Sequence, residues 1–173
     1  MNFWKHFKTI TSHKILVMKG CFRVGLYKQG LLHDLSKYSW TEFRVGCKYY
    51  QGNRSPNNAE REQIGYSSAW LHHKGRNKHH YEYWMDYSQR GTQIQGMRMP
   101  NQYVVEMIID RIAASKTYQQ ERYTDQSPLK YYLQGKGYYI MHPEVEQMLE
   151  DILTMLAEHG EAFTFQYIKD YVL

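Results

Sequence analysis

From Phe3 to the C-terminal residues, apolar side chains recur every three or four positions, and no stretch of any length alternates apolar with polar. Residues three and four apart share one face of a helix, whereas a half-buried strand needs a period of two, so this spacing commits the backbone to helices. An all-α fold follows. At 173 residues the chain is long enough to bury a real core without disulfides, and one domain covering 1–173 is expected.

The segment from Phe3 to Gln29 reads as a helix that places His13, Val17, Gly20 or Cys21, and Val24 on one stripe, so His13 points inward. Gly30 punctuates, and Leu31-Leu32-His33-Asp34-Leu35 resumes as a short apolar helix. Ser39-Trp40-Thr41-Glu42 reads as a capping box that opens a helix running to Tyr50. Residues 51–60 are polar, with Gly52 and Pro56, and read as a loop. Glu62 to His73 reads as helix, ended by Gly75-Arg76-Asn77, and a compact turn or short helix then holds His79, His80, Glu82 and Trp84. Arg90 to Met99 reads as a loop. Pro100 opens a helix with Tyr103, Met107, Asp110 and Ala114 on one face. His142-Pro143-Glu144 starts a long amphipathic helix, with Val145, Met148, Leu149, Ile152, Leu153 and Leu156 inward, closed by His159-Gly160. Residues 163–173 add one more helix.

The apolar run Ile15-Leu16-Val17-Met18 is far short of the roughly 20 residues a membrane span needs, and the first residues lack a secretory core. No membrane or secretion is expected, and the cytoplasm is the expected compartment. Cys21 and Cys47 have no C-x-x-C spacing, which suits a reducing compartment and argues against cysteine-ligated zinc. Any metal must therefore use His and carboxylate. The net charge of +5 favours anionic ligands, but the basic residues are scattered, so nucleic acid is a minority partner. Seventeen tyrosines and four tryptophans suit an aromatic-lined cleft as well as an ordinary surface.

Several ionisable side chains fall on faces that should be buried: His13, His33 with Asp34, His73, His79 with His80, and Asp110. A single inward His is more often a hydrogen-bonded core residue than a ligand. The set argues otherwise. Burying so many titratable groups without a cation is costly, and His and Asp are the ligands that divalent metals take when no thiolate is offered.

The pair His33-Asp34 followed by Leu35-Ser36-Lys37, with His13 twenty positions upstream and Asp110 far downstream, resembles the HD-domain superfamily of metal-dependent phosphohydrolases. The resemblance implies an all-α, single-domain helical bundle, with metal-site helices in residues 3–115 and supporting C-terminal helices in residues 128–173. It also implies that His13, His33, Asp34 and Asp110 hold a first metal. Asp34 would bridge to a second, held by His73 and by His79 or His80. Closer still are Leu32 through Lys37 with Glu42-Phe43, Ala69-Trp70 through His73 and Asn77 to His79-His80 and Tyr83-Trp84, and Met99-Pro100 through Glu106-Met107 to Asp110. These stretches resemble the small bacterial and phage proteins of an uncharacterised family, domain of unknown function 5662 (DUF5662).

By the HD resemblance the expected activity is hydrolysis of a small phosphoester, a nucleotide being favoured because the chain is basic. The cofactor would be one or two divalent ions (Mn, Fe, Zn, Ni or Mg), with Asp34 and Lys37 as the catalytic pair. Lys37, Arg76, Asn77, Lys78 and Trp84 are the candidate substrate contacts, although exposed Lys and Arg usually only solvate a surface. Trp70 and Trp84 are candidate pocket walls. HD-type di-iron oxygenases keep the same ligands and change the reaction, and sequence does not choose between them. A non-enzymic nucleic-acid or metal-binding protein is the remaining reading. An HNH nuclease is rejected, since its members are separated by longer gaps than His73, Asn77 and His79 allow. Catalase chemistry has no basis: the inward carboxylates are two Asp, with Glu106 at most a third.

Overall fold

A computed structural model describes residues 2–173. Eight α-helices follow in order among them: α1 Phe3–Arg23, α2 Tyr27–Leu32, α3 Trp40–Tyr49, α4 Pro56–Ile64, α5 Ser68–Lys74, α6 Asn101–Gln119, α7 Ser127–Gly135 and α8 Pro143–Tyr167. Short 3-10 turns cover Leu35–Tyr38, Tyr81–Trp84 and Gln120–Arg122, and a π turn covers Ile168–Val172. The fold is all-α, and no helix among the described residues is long and apolar enough to cross a membrane.

Two cores meet on α1. Its C-terminal half lays Val17 and Cys21 against Ile108 and Ile109 of α6 and Leu149 and Leu153 of α8, all within one cluster. A Cβ on Gly20 would lie 2.6 Å from Ile109 Cγ2, so the absent side chain lets α1 and α6 approach. Its N-terminal half carries Ile10 into a second, smaller cluster with Phe43 and Cys47 of α3. His13, on the same inward stripe, falls between the two cores.

The structure corrects five readings. The helix expected through Gln29 breaks at Gly25, whose φ of 86° is open to glycine but strained for other residues. The segment read as helix from Glu62 to His73 divides into α4 and α5 at Gly65, φ 85°. The expected loop over residues 51–60 ends early, because Ser55 Oγ accepts from Asn57 N and Pro56 opens α4. Within the span expected to be irregular, Ile94–Gly96 pairs antiparallel with Met85–Tyr87. Three-residue strands are too short for a period of two to show in sequence. α8 also runs on past His159, with a kink at Gly160 where closure was expected.

Candidate metal centre

His33 and Asp34 sit where α2 gives way to the 3-10 turn at Leu35. His33 is the last residue before the break, with φ −50° and ψ 126°, and Asp34 is left-handed at φ 54°, ψ 26°. Asp tolerates this region better than most residues, at a cost of about 1–2 kcal/mol. The break turns both adjacent side chains inward, leaving each 1% exposed. α1 supplies His13 and α6 supplies Asp110. The last turn of α5 supplies His73, and the tight turn after it supplies His79 and His80.

These side chains form two groups that share Asp34: His13, His33, Asp34 and Asp110 on one side, and Asp34, His73, His79 and His80 on the other. In each, one ligand atom per residue lies within 4.8 Å of the others. The two carboxylate oxygens of Asp34 divide between them. Oδ2 is 3.2 Å from His33 Nε2 and 4.0 Å from His13 Nε2, while Oδ1 is 3.2 Å from His73 Nε2 and 3.3 Å from His79 Nε2. Asp110 Oδ1 adds a contact of 2.9 Å to His13 Nε2. Although close, the Nε2 atoms of His13, His33, His79 and His80 and both oxygens of Asp34 are buried with no hydrogen bond of acceptable direction. The two groups could hold a metal ion.

The far side of each ring explains its orientation. Glu106 Oε1 accepts from His33 Nδ1 at 2.9 Å and from His79 Nδ1 at 3.1 Å, joining the two groups from behind. Glu42 Oε2 accepts from His73 Nδ1 at 2.8 Å. With the proton on Nδ1, each imidazole turns an Nε2 lone pair toward Asp34, the tautomer a metal requires. A third group of potential ligand atoms, His33, His79 and Glu106, consists of these hydrogen bonds.

Charge follows the same pattern. Burial opposes ionisation of Asp34, but His33, Lys37 and His73 outweigh it and hold its pKa well below the carboxylate range. Burial likewise opposes the charge on Asp110, and His13 and His33 outweigh it. His33 and His73 are pushed up against burial, chiefly by Asp34. His80 is pushed well down by burial, then by His79 and His73.

All seven expected ligands therefore converge, including both His79 and His80. His72 stays outside, its Nδ1 bonded to Glu42 Oε1 at 2.7 Å. Lys37 Nζ lies 2.6 Å from Asp34 Oδ2 and lines a cavity of about 610 Å³ with Trp70, Arg111 and Tyr118. Arg76, Asn77, Lys78 and Trp84 do not line it. Arg76 donates to His72 O, and Trp84 Nε1 donates to Lys78 O. Asn77 Nδ2 donates to Ser36 Oγ and His73 O, each at 2.8 Å, tying the turn to the His33-Asp34 loop. Sequence reasoning gave Glu42 and Glu106 no role in the centre. Glu106 had a signal, lying one turn before Asp110 on the same helix, whereas Glu42 was absorbed by its place in a capping box.

Fold and site together define an all-α protein built round a buried His and carboxylate centre. A model of a family of unknown function, DUF5662, matches residues 2–155, and the chain belongs to that family. No curated protein and no solved structure matches it.

Proposed function

We propose that this chain is an HD-type, metal-dependent phosphohydrolase acting on a small phosphoester through one or two divalent cations. The observation that carries the reading is the division of Asp34, with one oxygen facing His13 and His33 and the other facing His73 and His79. So many buried and unpaired polar atoms at one point are costly unless a cation joins them. The donors are imidazole nitrogen and carboxylate oxygen, which fits Mn, Fe, Zn, Ni or Mg and not a thiophilic ion. Bound there, such ions would bring the pKa of a water toward neutrality and draw charge from a phosphoryl oxygen.

The remaining work falls to the chain itself. Glu106 and Glu42 hold three imidazoles in the ligating tautomer. Lys37, kept cationic by Asp34 against the effect of burial, projects into the cavity where a phosphoryl oxygen would sit. Arg111 and Arg122 line the same space with Trp70, Tyr118 and Tyr139, a cation-bearing and aromatic wall suited to an anionic small molecule. A nucleotide fits that description.

The test is elemental analysis of purified protein beside His33→Ala, followed by a panel of phosphomonoesters, phosphodiesters and nucleotides. One or two equivalents of metal, lost in the variant together with phosphate release, support the reading. Iron near two equivalents with oxygen uptake and no phosphate release assigns the centre to an oxygenase. No metal, and none taken up on titration, refutes both.

A further inference from the structure

Charge is divided unevenly along this chain. Residues 2–59 carry ten Lys and Arg but only two carboxylates, Asp34 and Glu42. Both belong to the buried centre, 1% and 6% exposed, so this third of the molecule presents no carboxylate to solvent. Four of the ten cations are engaged: Arg23 with Glu161, Lys37 with Asp34, Arg54 with Glu62, and Lys14 with the carbonyls of Leu31 and His33. Among the described residues the other six, Lys5, Lys8, Lys19, Lys28, Arg44 and Lys48, have no ion-pair partner.

Apolar side chains emerge among those cations. At 100° per residue, the buried stripe of α1 through Ile10, His13 and Val17 leaves a second stripe well round the helix, through Trp4, Phe7, Ile15 and Phe22. These are 76%, 38%, 41% and 36% exposed. Because Lys14 reaches across to Leu31 O and His33 O, α2 lies beside this stripe and adds Leu31 and Leu32, both more than half exposed. Lys8 and Lys19 border it on the side away from α2.

We infer that α1 and α2 dock this face onto an anionic lipid surface. Self-association about a two-fold axis would bring the bordering Lys8 and Lys19 toward their own copies with no carboxylate from this part of the chain to meet them. A nucleic-acid backbone would answer the charge but leave Ile15, Leu31 and Leu32 in water, since its grooves offer no apolar cover. An anionic bilayer interface answers both, with lipid headgroups against the lysines and acyl chains against the aliphatic side chains. It also suits Trp4, whose amphipathic ring belongs at the headgroup level. Such a helix lies in the interface and does not span it. His13 stays on the opposite face, so docking leaves the metal centre intact.

The experiment is flotation of the full chain with phosphatidylcholine vesicles, with and without phosphatidylserine. Binding is expected only with phosphatidylserine. It should fall at least tenfold at about 1 M salt, where screening acts over roughly 3 Å. Trp4→Ser with Leu31→Ser, and separately Lys8→Glu with Lys19→Glu, should each lower partitioning on the order of tenfold while helical circular dichroism stays unchanged. Equal binding to both vesicles, or binding to neither, overturns the inference. A dimer in light scattering that the Trp4/Leu31 variant dissolves, without vesicle binding, assigns the face to a second copy. Salt-sensitive binding to an oligonucleotide without vesicle binding assigns it to nucleic acid. Both outcomes overturn the lipid reading.

Discussion

Replacing Glu106 with glutamine keeps the size of the side chain and an oxygen that can accept from both His33 and His79, but removes the charge. The two bonds are 2.9 and 3.1 Å and end on one oxygen. A hydrogen bond to a charged group contributes about 1.5–3 kcal/mol and a neutral one about 1, so the substitution should lose roughly 1–1.5 kcal/mol at each imidazole. Each group contains one of the two rings, so each site should lose about 1–1.5 kcal/mol, or some 5- to 13-fold in metal affinity, at the low end of the range of about 10- to 100-fold for partners behind metal ligands. Because the two rings belong to different groups, both metal sites should weaken together. Glu42→Gln gives the contrast: it touches only His73 among the expected ligands and should weaken one site by about tenfold. Chelator-competition titration measures both, with circular dichroism to confirm the fold. If Glu106→Gln changes affinity less than threefold, or weakens one site alone, Glu106 does not set the tautomers from behind.

Asp34→Asn, which tolerates the left-handed backbone, should keep the helical spectrum and abolish metal uptake; a variant that retains full occupancy refutes the shared-ligand geometry. A Cβ at Gly46 would fall 2.0 Å from His6 Nε2, so Gly46→Ala should cost about 1–3 kcal/mol in thermal unfolding. His6→Ala should recover most of that loss in the double variant. Cys21 is fully buried, and burial, then Glu106 and Asp110, push its thiol up to about 12. A disulfide reagent at pH 8 should therefore label it only as fast as the fold opens, and rapid labelling would contradict the packing. Burial and Lys37 lower the His6 pKa from 6.5 to about 4. Its unfolded form takes up a proton first, so its contribution is complete above pH 6.5 and is lost as pH falls toward 4. Allowing for solvent screening, the stability gap between wild type and His6→Gln should shrink by about 2 kcal/mol between pH 7 and 4, as chemical denaturation would show.

What the sequence disclosed and what it hid divide along the distance over which each interaction acts. Helical spacing is local, so it placed His13 on a buried stripe and Asp110 on the inward face of α6. The break at His33-Asp34 was not legible: Leu31 to Leu35 reads as one short apolar helix, whereas α2 starts at Tyr27 and ends at Leu32, and Asp34 takes a left-handed backbone that no local pattern announces. Glu42 shows the limit. Ser39 does cap its amide, at 3.5 Å, but the carboxylate turns away from the helix end to His72 and His73, thirty and thirty-one residues on. The local motif was satisfied by one half of the residue and gave no sign of the other. Glu106 meets His33 across seventy-three residues, and they come together only because α2 and α6 both pack on α1. Asn77, read as a substrate contact, is spent holding the turn to Ser36.

The centre is also where the chain departs most from what stability alone would choose. Asp34 combines a left-handed backbone, nearly complete burial and an Oδ1 with no hydrogen bond, each of them unfavourable by about a kcal/mol or more. The helices on either side make no such departures: Val17, Ile109 and Leu153 are ordinary core residues on regular stripes. Strain, buried charge and an unpaired atom that coincide at one residue, inside an otherwise consistent core, point to a role in binding and not in folding. Because His33, Lys37 and His73 hold Asp34 ionised, Asp34→Asn should lower the melting temperature of the metal-free protein by leaving Lys37 without its partner, and should also abolish the rise in melting temperature that added metal gives the wild type.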